Sequence, residues 1–129
     1  PLKMFKNLII ASFFGMVAII LGAFGAHALK EILSIDELSS FETGVRYQMY
    51  HAIVLLFVNG YDQFTISQKN RITYLFVTGI LLFSGSIYLI HFTSISVKSI
   101  WFLTPLWGLA FIIGWIFMIL CFYKKHKNK

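Results

Sequence analysis

Four long apolar runs constrain the fold of this chain more than any other feature of its sequence. They cover residues 8–29, 45–61, 72–92 and 100–123. Each approaches or exceeds the roughly 17–25 residues that a helix needs to cross a bilayer. Backbone groups in lipid must be satisfied internally, and runs without alternating polarity favour helices over a barrel. The sequence therefore predicts an all-α integral membrane protein, a single domain over residues 1–129 that forms an up-down-up-down four-helix bundle.

Composition and charge placement narrow the class of protein further. Only 12% of the residues are charged, against about a quarter in soluble domains. The net charge of +6 comes from residues at the ends of the apolar runs, and no basic patch with interleaved aromatics lies outside them. We therefore expect no nucleic-acid partner. The lone Cys121 rules out an internal disulfide and a Cys-x-x-Cys pair, and we expect no cofactor.

The basic residues also predict the orientation of the chain. With four spans, the termini and the middle loop share one side, which holds eight of the 11 Lys and Arg. Cytoplasmic loops carry such an excess, so both termini are expected in the cytoplasm, most simply at a bacterial inner (plasma) membrane. The eight residues are Lys3, Lys6, Lys69, Arg71, Lys124, Lys125, Lys127 and Lys129.

The loop before the second run contains a short amphipathic pattern. Apolar residues recur at three- to four-residue steps over positions 35–45, which places them on one helical face. Ser39 and Glu42 have the S-x-x-E spacing of a capping box. These features predict an interfacial turn at residues 34–38 and a second helix over residues 40–60.

Polar side chains concentrate at one end of the predicted spans. Because consecutive spans alternate in direction, these side chains are expected to meet in the outer leaflet, while the inner halves are nearly pure Leu, Ile, Phe and Val. Ionisable groups within a span normally face partners or water. The candidate ligand-binding residues are His27, Arg46, Tyr47, Gln48, His51, Ser84, Ser86 and Thr104.

Each candidate has a structural and a functional interpretation. The two histidines are either satisfied by hydrogen bonds or used in ligand contact or proton chemistry; without a carboxylate or thiolate at their depth, they make a poor metal site. Arg46 is either a clamp on an anionic group or an interface anchor paired with Glu42. No acid completes a triad with Ser84 or Ser86, so no catalytic residue is assigned.

Small residues on the first run predict close helix packing. Ala11 and Gly15, then Ala18 and Gly22, lie four residues apart, a spacing that lets helix backbones approach in lipid. His27 follows this stripe and is expected to press against another helix. The packing candidates are Gly15, Gly22, Gly25, Ala26, Gly85 and Gly108.

Four segments resemble a known family: "GAFGAHALK", "FETGVRYQMYHA", "LFSGSIYL" and "TPLWGLAFIIGW". Their order and spacing over residues 15–120 resemble the small membrane proteins grouped as domain of unknown function 423. The resemblance implies a four-helix membrane protein of unestablished biochemical role. Trp107 stands where the family's "TPxGG" stretch has a glycine, which would narrow a cavity beside the fourth helix. The matched residues are Gly22, Gly25, His27, Arg46, Tyr47, Gln48, His51, Ser84, Gly85, Ser86, Thr104, Pro105 and Gly108.

Three functional hypotheses follow. The first is a non-enzymatic accessory or scaffold subunit that packs with a membrane-protein partner or with copies of itself. The second is binding or passage of a small anionic or lipid ligand in an outer-leaflet pocket, with Arg46 holding the head group. The third is an intramembrane enzyme with His51 as base and Ser84 or Ser86 as nucleophile, which only a shared depth supports.

Overall fold

The computed structural model describes residues 2–92 and 103–129, except for the side chains at positions 3, 4, 26, 103 and 104. All regular structure in this part of the chain is helical. The elements are α1 (Leu2–His27), α2 (Ile35–Gly60), α3 (Ile66–Gly79), a π-helical turn (Ile80–Ser84), α4 (Gly85–Phe92), α5 (Leu103–Trp107) and α6 (Leu109–Lys127). Because α3, the π turn and α4 are continuous and α5 adjoins α6, the described residues form four helices.

Three of these helices are long and apolar enough to cross a membrane. They are Phe5–Gly25, Ile66–Phe92 and Pro105–Lys127. The second helix, α2, has 26 residues, but its first half carries charged residues. The all-α prediction is thus confirmed for the described residues, whereas the passage of α2 through the membrane stays a prediction.

The predicted start of the second helix is wrong. It begins at Ile35 because Ser34, not Ser39, is the N-cap. The Ser34 backbone N–H donates to Glu37 Oε2 at 2.8 Å, and the Glu37 N–H donates to Ser34 Oγ at 3.3 Å. The S-x-x-E spacing occurs twice, and the earlier copy stands directly before the apolar pattern that starts at Ile35. The bond from the Ser34 backbone holds the pKa of Glu37 below its usual value.

Other helix boundaries also extend beyond the apolar runs. The third helix begins at Ile66 instead of residue 72, because Thr65 and Gln68 form a second capping box. The first helix covers Leu2–His27 instead of 8–29, and the last continues to Lys127 instead of 123. Polar first and last turns are helical without being apolar, so hydropathy underestimates helix length. The predicted start at residue 100 lies outside the described residues.

The first two helices pack antiparallel along their length. Gly22 of α1 faces Val45 of α2, and a Cβ on Gly25 would overlap the ring of Phe41. Ala11 and Ala18, on the same face of α1, are buried. The stripe of small residues therefore lies against α2. At Gly25 the packing leaves no space for a side chain.

The third and last helices form a second antiparallel pair with reciprocal glycine contacts. A Cβ on Gly79 would overlap the ring of Phe111, and one on Gly114 would lie 2.5 Å from Phe76. Each helix thus presents a glycine to a phenylalanine of the other. The apolar core forms around these rings and includes Leu55, Val58, Phe64, Ile72, Phe76, Ile80, Phe111 and Met118.

The second helix lies between α1 and the pair that the third and last helices form. It contacts α1 on one side and α3, the π turn and α4 on the other, and within the described residues no extended contact joins α1 to α6. The π turn ends where the Gly85 backbone N–H donates to the carbonyls of Ile80 and Leu82. The arrangement makes α2 central and leaves one of its faces uncovered.

Candidate functional site

Two clusters of hydrogen-bonded side chains, each with a buried centre, join the helices. The cluster that we call the His51 layer consists of Gln48, His51, Ser84, Tyr88 and Trp115. The second cluster, which we call the Asn59 layer, consists of Asn7, Asn59, Lys69, Asn70 and Thr73. The sequence predicted part of the first cluster and missed the second.

Both ring nitrogens of His51 have partners. Nδ1 lies 2.6 Å from the Tyr47 carbonyl oxygen, and Trp115 Nε1 donates to His51 Nε2 at 3.1 Å. A carbonyl can only accept and an indole N–H can only donate, so the pattern selects the neutral tautomer with its proton on Nδ1. The ring also stacks on Phe111, with centroids 3.7 Å apart. His51 is therefore held by its neighbours on both edges and on one face.

Gln48 joins three helices. Its Nε2 donates to the Phe14 carbonyl oxygen of α1 at 2.8 Å, and its Oε1 accepts from the Tyr88 hydroxyl of α4 at 2.8 Å. The side chain is buried, with 2% of its surface exposed. In lipid, hydrogen bonds of this kind hold helices together where the hydrophobic effect does not.

The two predicted serines are also engaged. Ser84 Oγ, in the π turn, donates to the Gly44 carbonyl oxygen of α2 at 2.8 Å. Ser86 Oγ donates to the Phe83 carbonyl oxygen within its own helix at 2.8 Å. A π turn often marks a functional position; here it places the Ser84 hydroxyl against the backbone of a neighbouring helix.

Two predicted residues, His27 and Arg46, do not join the His51 layer. His27 is exposed, and its expected contact with another helix is wrong: it lies about 200° around α1 from Gly25, by the 3.6-residue turn. Arg46 is exposed and donates to Thr43 Oγ1 at 3.1 Å, and no Arg46–Glu42 ion pair occurs among the described residues. The side chain of Thr104 lies outside them.

Tyr47 lies at the edge of the His51 layer, next to His51. The Tyr47 ring stacks on Phe83, with centroids 5.1 Å apart, while 40% of the residue stays exposed. A Cβ on Gly85 would meet only the Ile80 carbonyl oxygen at 3.9 Å, and one on Gly108 would lie 3.2 Å from the Pro105 carbonyl oxygen. The side chain of Ala26 lies outside the described part of the chain.

The Asn59 layer corrects the expectation that the inner halves of the spans are nearly pure Leu, Ile, Phe and Val. Asn7 Nδ2 donates to Asn59 Oδ1 and to Asn70 Oδ1, each at 2.9 Å. Asn59 Nδ2 in turn donates to Thr73 Oγ1 and to the Leu55 carbonyl oxygen, again at 2.9 Å. Asn59 is fully buried. One hydrogen-bonded chain of amides thus ties α1, α2 and α3 together.

A buried lysine completes the Asn59 layer. Lys69 is only 7% exposed, and its Nζ donates to the Asn59 carbonyl oxygen at 3.0 Å. The last carbonyls of a helix lack intrahelical partners and carry partial negative charge. Lys69 therefore caps the C-terminal end of α2 from the first turns of α3.

The sequence offered a weak signal for the Asn59 layer. Asn7, Asn59 and Asn70 each lie near the end of an apolar run, where a polar residue ordinarily marks the boundary of a span. Their pairing depends on how each helix is rotated, which hydropathy does not report. The signal that could have found them is their equal depth at one end of three adjacent helices.

The fold and the two layers define a helical integral membrane protein whose interior polar groups join its helices. The comparison with known protein families gives a specific match. Residues 21–108 match the family model described as "Protein of unknown function (DUF423)". The chain belongs to this family, and the family resemblance of its four segments is confirmed.

Curated relatives cover nearly the whole chain. The UPF0382 membrane protein SAB0533 of Staphylococcus aureus is 38% identical over 117 residues, which are 91% of this chain and 94% of the relative. The UPF0382 membrane protein YwdK of Bacillus subtilis is 39% identical over 120 residues, 91% and 95% of the two chains. The UPF0382 inner membrane protein YgdD of Escherichia coli is 32% identical over 120 residues, 87% and 85%. No solved structure matches.

These relatives support a membrane location, and their names state no activity. They are membrane proteins of bacteria, and three helices of the present chain are apolar enough to cross a bilayer. The predicted membrane location is confirmed. The family description assigns no biochemical role.

Proposed function

We propose that this protein is a non-enzymatic scaffold or accessory subunit of the bacterial inner membrane, a four-helix bundle that packs with a membrane-protein partner. The observation that carries the proposal is the His51 layer, whose polar atoms are used to join helices. The proposal has three parts: the passage of α2 through the membrane, the structural use of the candidate catalytic residues, and an open face on α2.

The depth of α2 supports its passage through the membrane. Asn59 bonds Asn7 near the start of the α1 span, and Phe41 packs on Gly25 at the end of that span. Residues 41–59 therefore run beside the whole α1 span over about 28 Å, close to the thickness of a hydrocarbon core. Polar side chains that lower the hydropathy of α2, such as Gln48, are turned towards other helices.

The distribution of charge supports cytoplasmic termini. Phe122 near the end of α6 packs on Tyr61 and Phe64 in the loop between α2 and α3. The C-terminal lysines thus share one end of the molecule with Lys69 and the Asn59 layer. An excess of Lys and Arg on one side marks that side as cytoplasmic.

The hydrogen bonds of His51 and Ser84 support a structural role. A general base needs a free nitrogen within reach of a substrate proton, and both nitrogens of His51 are occupied. A serine nucleophile needs a base to accept its proton, whereas the Ser84 hydroxyl donates to a backbone carbonyl. Either role would require breaking bonds that hold α2 to its neighbours.

One face of α2 is open, and it is the surface on which we expect a partner to pack. Tyr50, Ile53 and Phe57 follow one another at three- to four-residue steps and are each more than half exposed. Arg46 continues the same stripe by one turn towards the first loop. The stripe is apolar along most of its length and basic at one end, where a partner helix with an acidic or amide side chain would complement Arg46.

Purification in a mild detergent tests the proposal. We expect a second membrane protein to co-purify in a fixed ratio and to be lost, at least tenfold, on Ile53→Trp or Arg46→Ala. The matched control is Ile19→Trp, because Ile19 is an equally exposed apolar residue on α1. Wild-type and control preparations should retain the partner equally.

Native mass spectrometry of the same preparations separates the other outcomes. A complex of exactly two copies of this chain would identify the partner as the protein itself. A bound lipid or small anion lost on Arg46→Ala, without any protein partner, would favour the ligand-binding hypothesis. A bare monomer in the wild-type preparation would contradict the scaffold proposal.

A further inference from the structure

A cavity of about 370 Å³ opens between α1 and α3 beside the Asn59 layer. These helices touch each other less than either touches α2, and a groove remains between them. Seven residues line the cavity: Lys6, Asn7, Ile10, Asn70, Thr73, Tyr74 and Val77. Five of the seven are polar residues.

Hydrogen-bond donors remain available in this cavity. Asn70 accepts from Asn7 through Oδ1, and its own NH₂ group has no acceptor among the described residues. The Lys6 side chain is exposed, and no described carboxylate lies within ion-pair distance of it. An amide NH₂ and an ammonium group at one opening form a binding site for an anion.

The cavity lining changes from polar to apolar along the helices. Lys6 and Asn70 lie at the charged end, whereas Ile10 and Val77 lie four and seven residues farther into the spans. The corresponding distances are about 6 Å and 10 Å at 1.5 Å per residue. The apolar part therefore lies at the depth of acyl chains, and the polar part lies at the depth of head groups.

We propose that this groove binds an anionic phospholipid, whose phosphate is held by the Lys6 ammonium and the Asn70 amide NH₂ while an acyl chain lies along Ile10 and Val77. The Tyr74 hydroxyl is a further donor at the rim. The site uses neither the open face of α2 nor any residue of the His51 layer. It therefore stands independently of the scaffold function.

The surrounding charge strengthens this assignment. Arg71 is exposed on the neighbouring surface of α3, beside a second cavity that also contains Asn70 and Tyr74. Basic residues at a membrane surface attract anionic head groups. A zwitterionic lipid would be attracted less strongly, because the cationic group of its own head group would lie near the Lys6 ammonium.

Binding of defined lipids to the detergent-purified full chain tests the site. We expect phosphatidylglycerol to bind more tightly than phosphatidylcholine, with its affinity reduced about fivefold by Lys6→Gln. Asn70→Asp should weaken phosphatidylglycerol binding further, because it keeps the acceptor for Asn7 and replaces the NH₂ donor with a negative charge. The matched control is Lys124→Gln, which removes one exposed basic residue from the same end of the molecule and should change affinity less than twofold.

Two results would overturn the proposal. Equal losses on Lys6→Gln and Lys124→Gln would show attraction to a diffuse basic surface and no defined groove. Inorganic phosphate that displaces phosphatidylglycerol at equal affinity would identify a free anion as the ligand instead of a lipid. Thermal stability is measured for every variant, so that a folding defect is separated from a loss of binding.

Discussion

Replacing Asn59 with leucine is expected to lower the free energy of unfolding by about 1–3 kcal/mol. Asn59 Oδ1 accepts from Asn7, and its Nδ2 donates to Thr73 and to the Leu55 carbonyl. Leucine has the same branching and the same number of side-chain heavy atoms but none of these polar atoms. The substitution leaves one N–H of the Asn7 amide without its partner and removes the side-chain hydrogen bonds that join α2 to α1 and α3, while the Asn7–Asn70 bond between α1 and α3 remains.

Unfolding in mixed micelles of increasing SDS content measures the effect. The control is Asn128→Leu, which makes the same chemical change at an exposed residue and should alter stability by less than about 0.5 kcal/mol. A second variant, Asn7→Leu, should lose part of the same network. Equal stability of Asn59→Leu and wild type would show that the hydrogen bonds of the Asn59 layer do not stabilise the fold.

Substitution of Gly79 by alanine is expected to destabilise the protein by about 1–3 kcal/mol. The new Cβ would overlap the ring of Phe111, so α6 would have to move away from α3. Elsewhere in a helix the same change is favourable, since alanine has the higher helix propensity. The expected loss of stability on Gly79→Ala therefore depends on the contact with α6.

Gly15→Ala is the matched control for this prediction. A Cβ there would lie 3.9 Å from Ala52, an ordinary contact, so stability should rise slightly or stay constant. Combining Gly79→Ala with Phe111→Ala should cost less than the sum of the two single changes, because the smaller residue makes room for the new methyl group. Additive effects in this cycle would disprove the contact.

The helical class could be predicted from the sequence because it depends on one-dimensional information. The length of each apolar run and the absence of alternation are enough to indicate helices. The ends of those helices were harder to predict. Ser34 and Thr65 cap α2 and α3 several residues before the apolar runs that begin at positions 45 and 72, and a capping residue in a polar segment leaves no trace in hydropathy.

The interior contacts were only partly predictable. The stripe of small residues on α1 follows a regular spacing and could be recognised from the sequence alone. Gly79 could not be recognised in this way. A glycine is required there because the ring of a phenylalanine 32 positions away, on α6, occupies the space of a side chain. Likewise, depth placed Gln48 and His51 together in the membrane, but their partners Phe14 and Trp115 depend on helix rotation.

The proposed four-helix bundle requires α2 to cross the membrane, with its polar residues covered by neighbouring helices. Cysteine labelling in intact cells tests this claim most directly. Cys121 is the chain's single cysteine and is buried, so Cys121→Ser gives a suitable background. Single cysteines are then introduced by Glu31→Cys before α2 and Asp62→Cys after it, both at exposed positions.

A membrane-impermeant maleimide should label the cysteine at position 31 in intact cells. It should label the one at position 62 only after the membrane is permeabilised. This result would place the two ends of α2 on opposite sides of the membrane, with the basic end in the cytoplasm. Labelling of both positions from the same side would contradict this topology, because α2 would then not cross the bilayer.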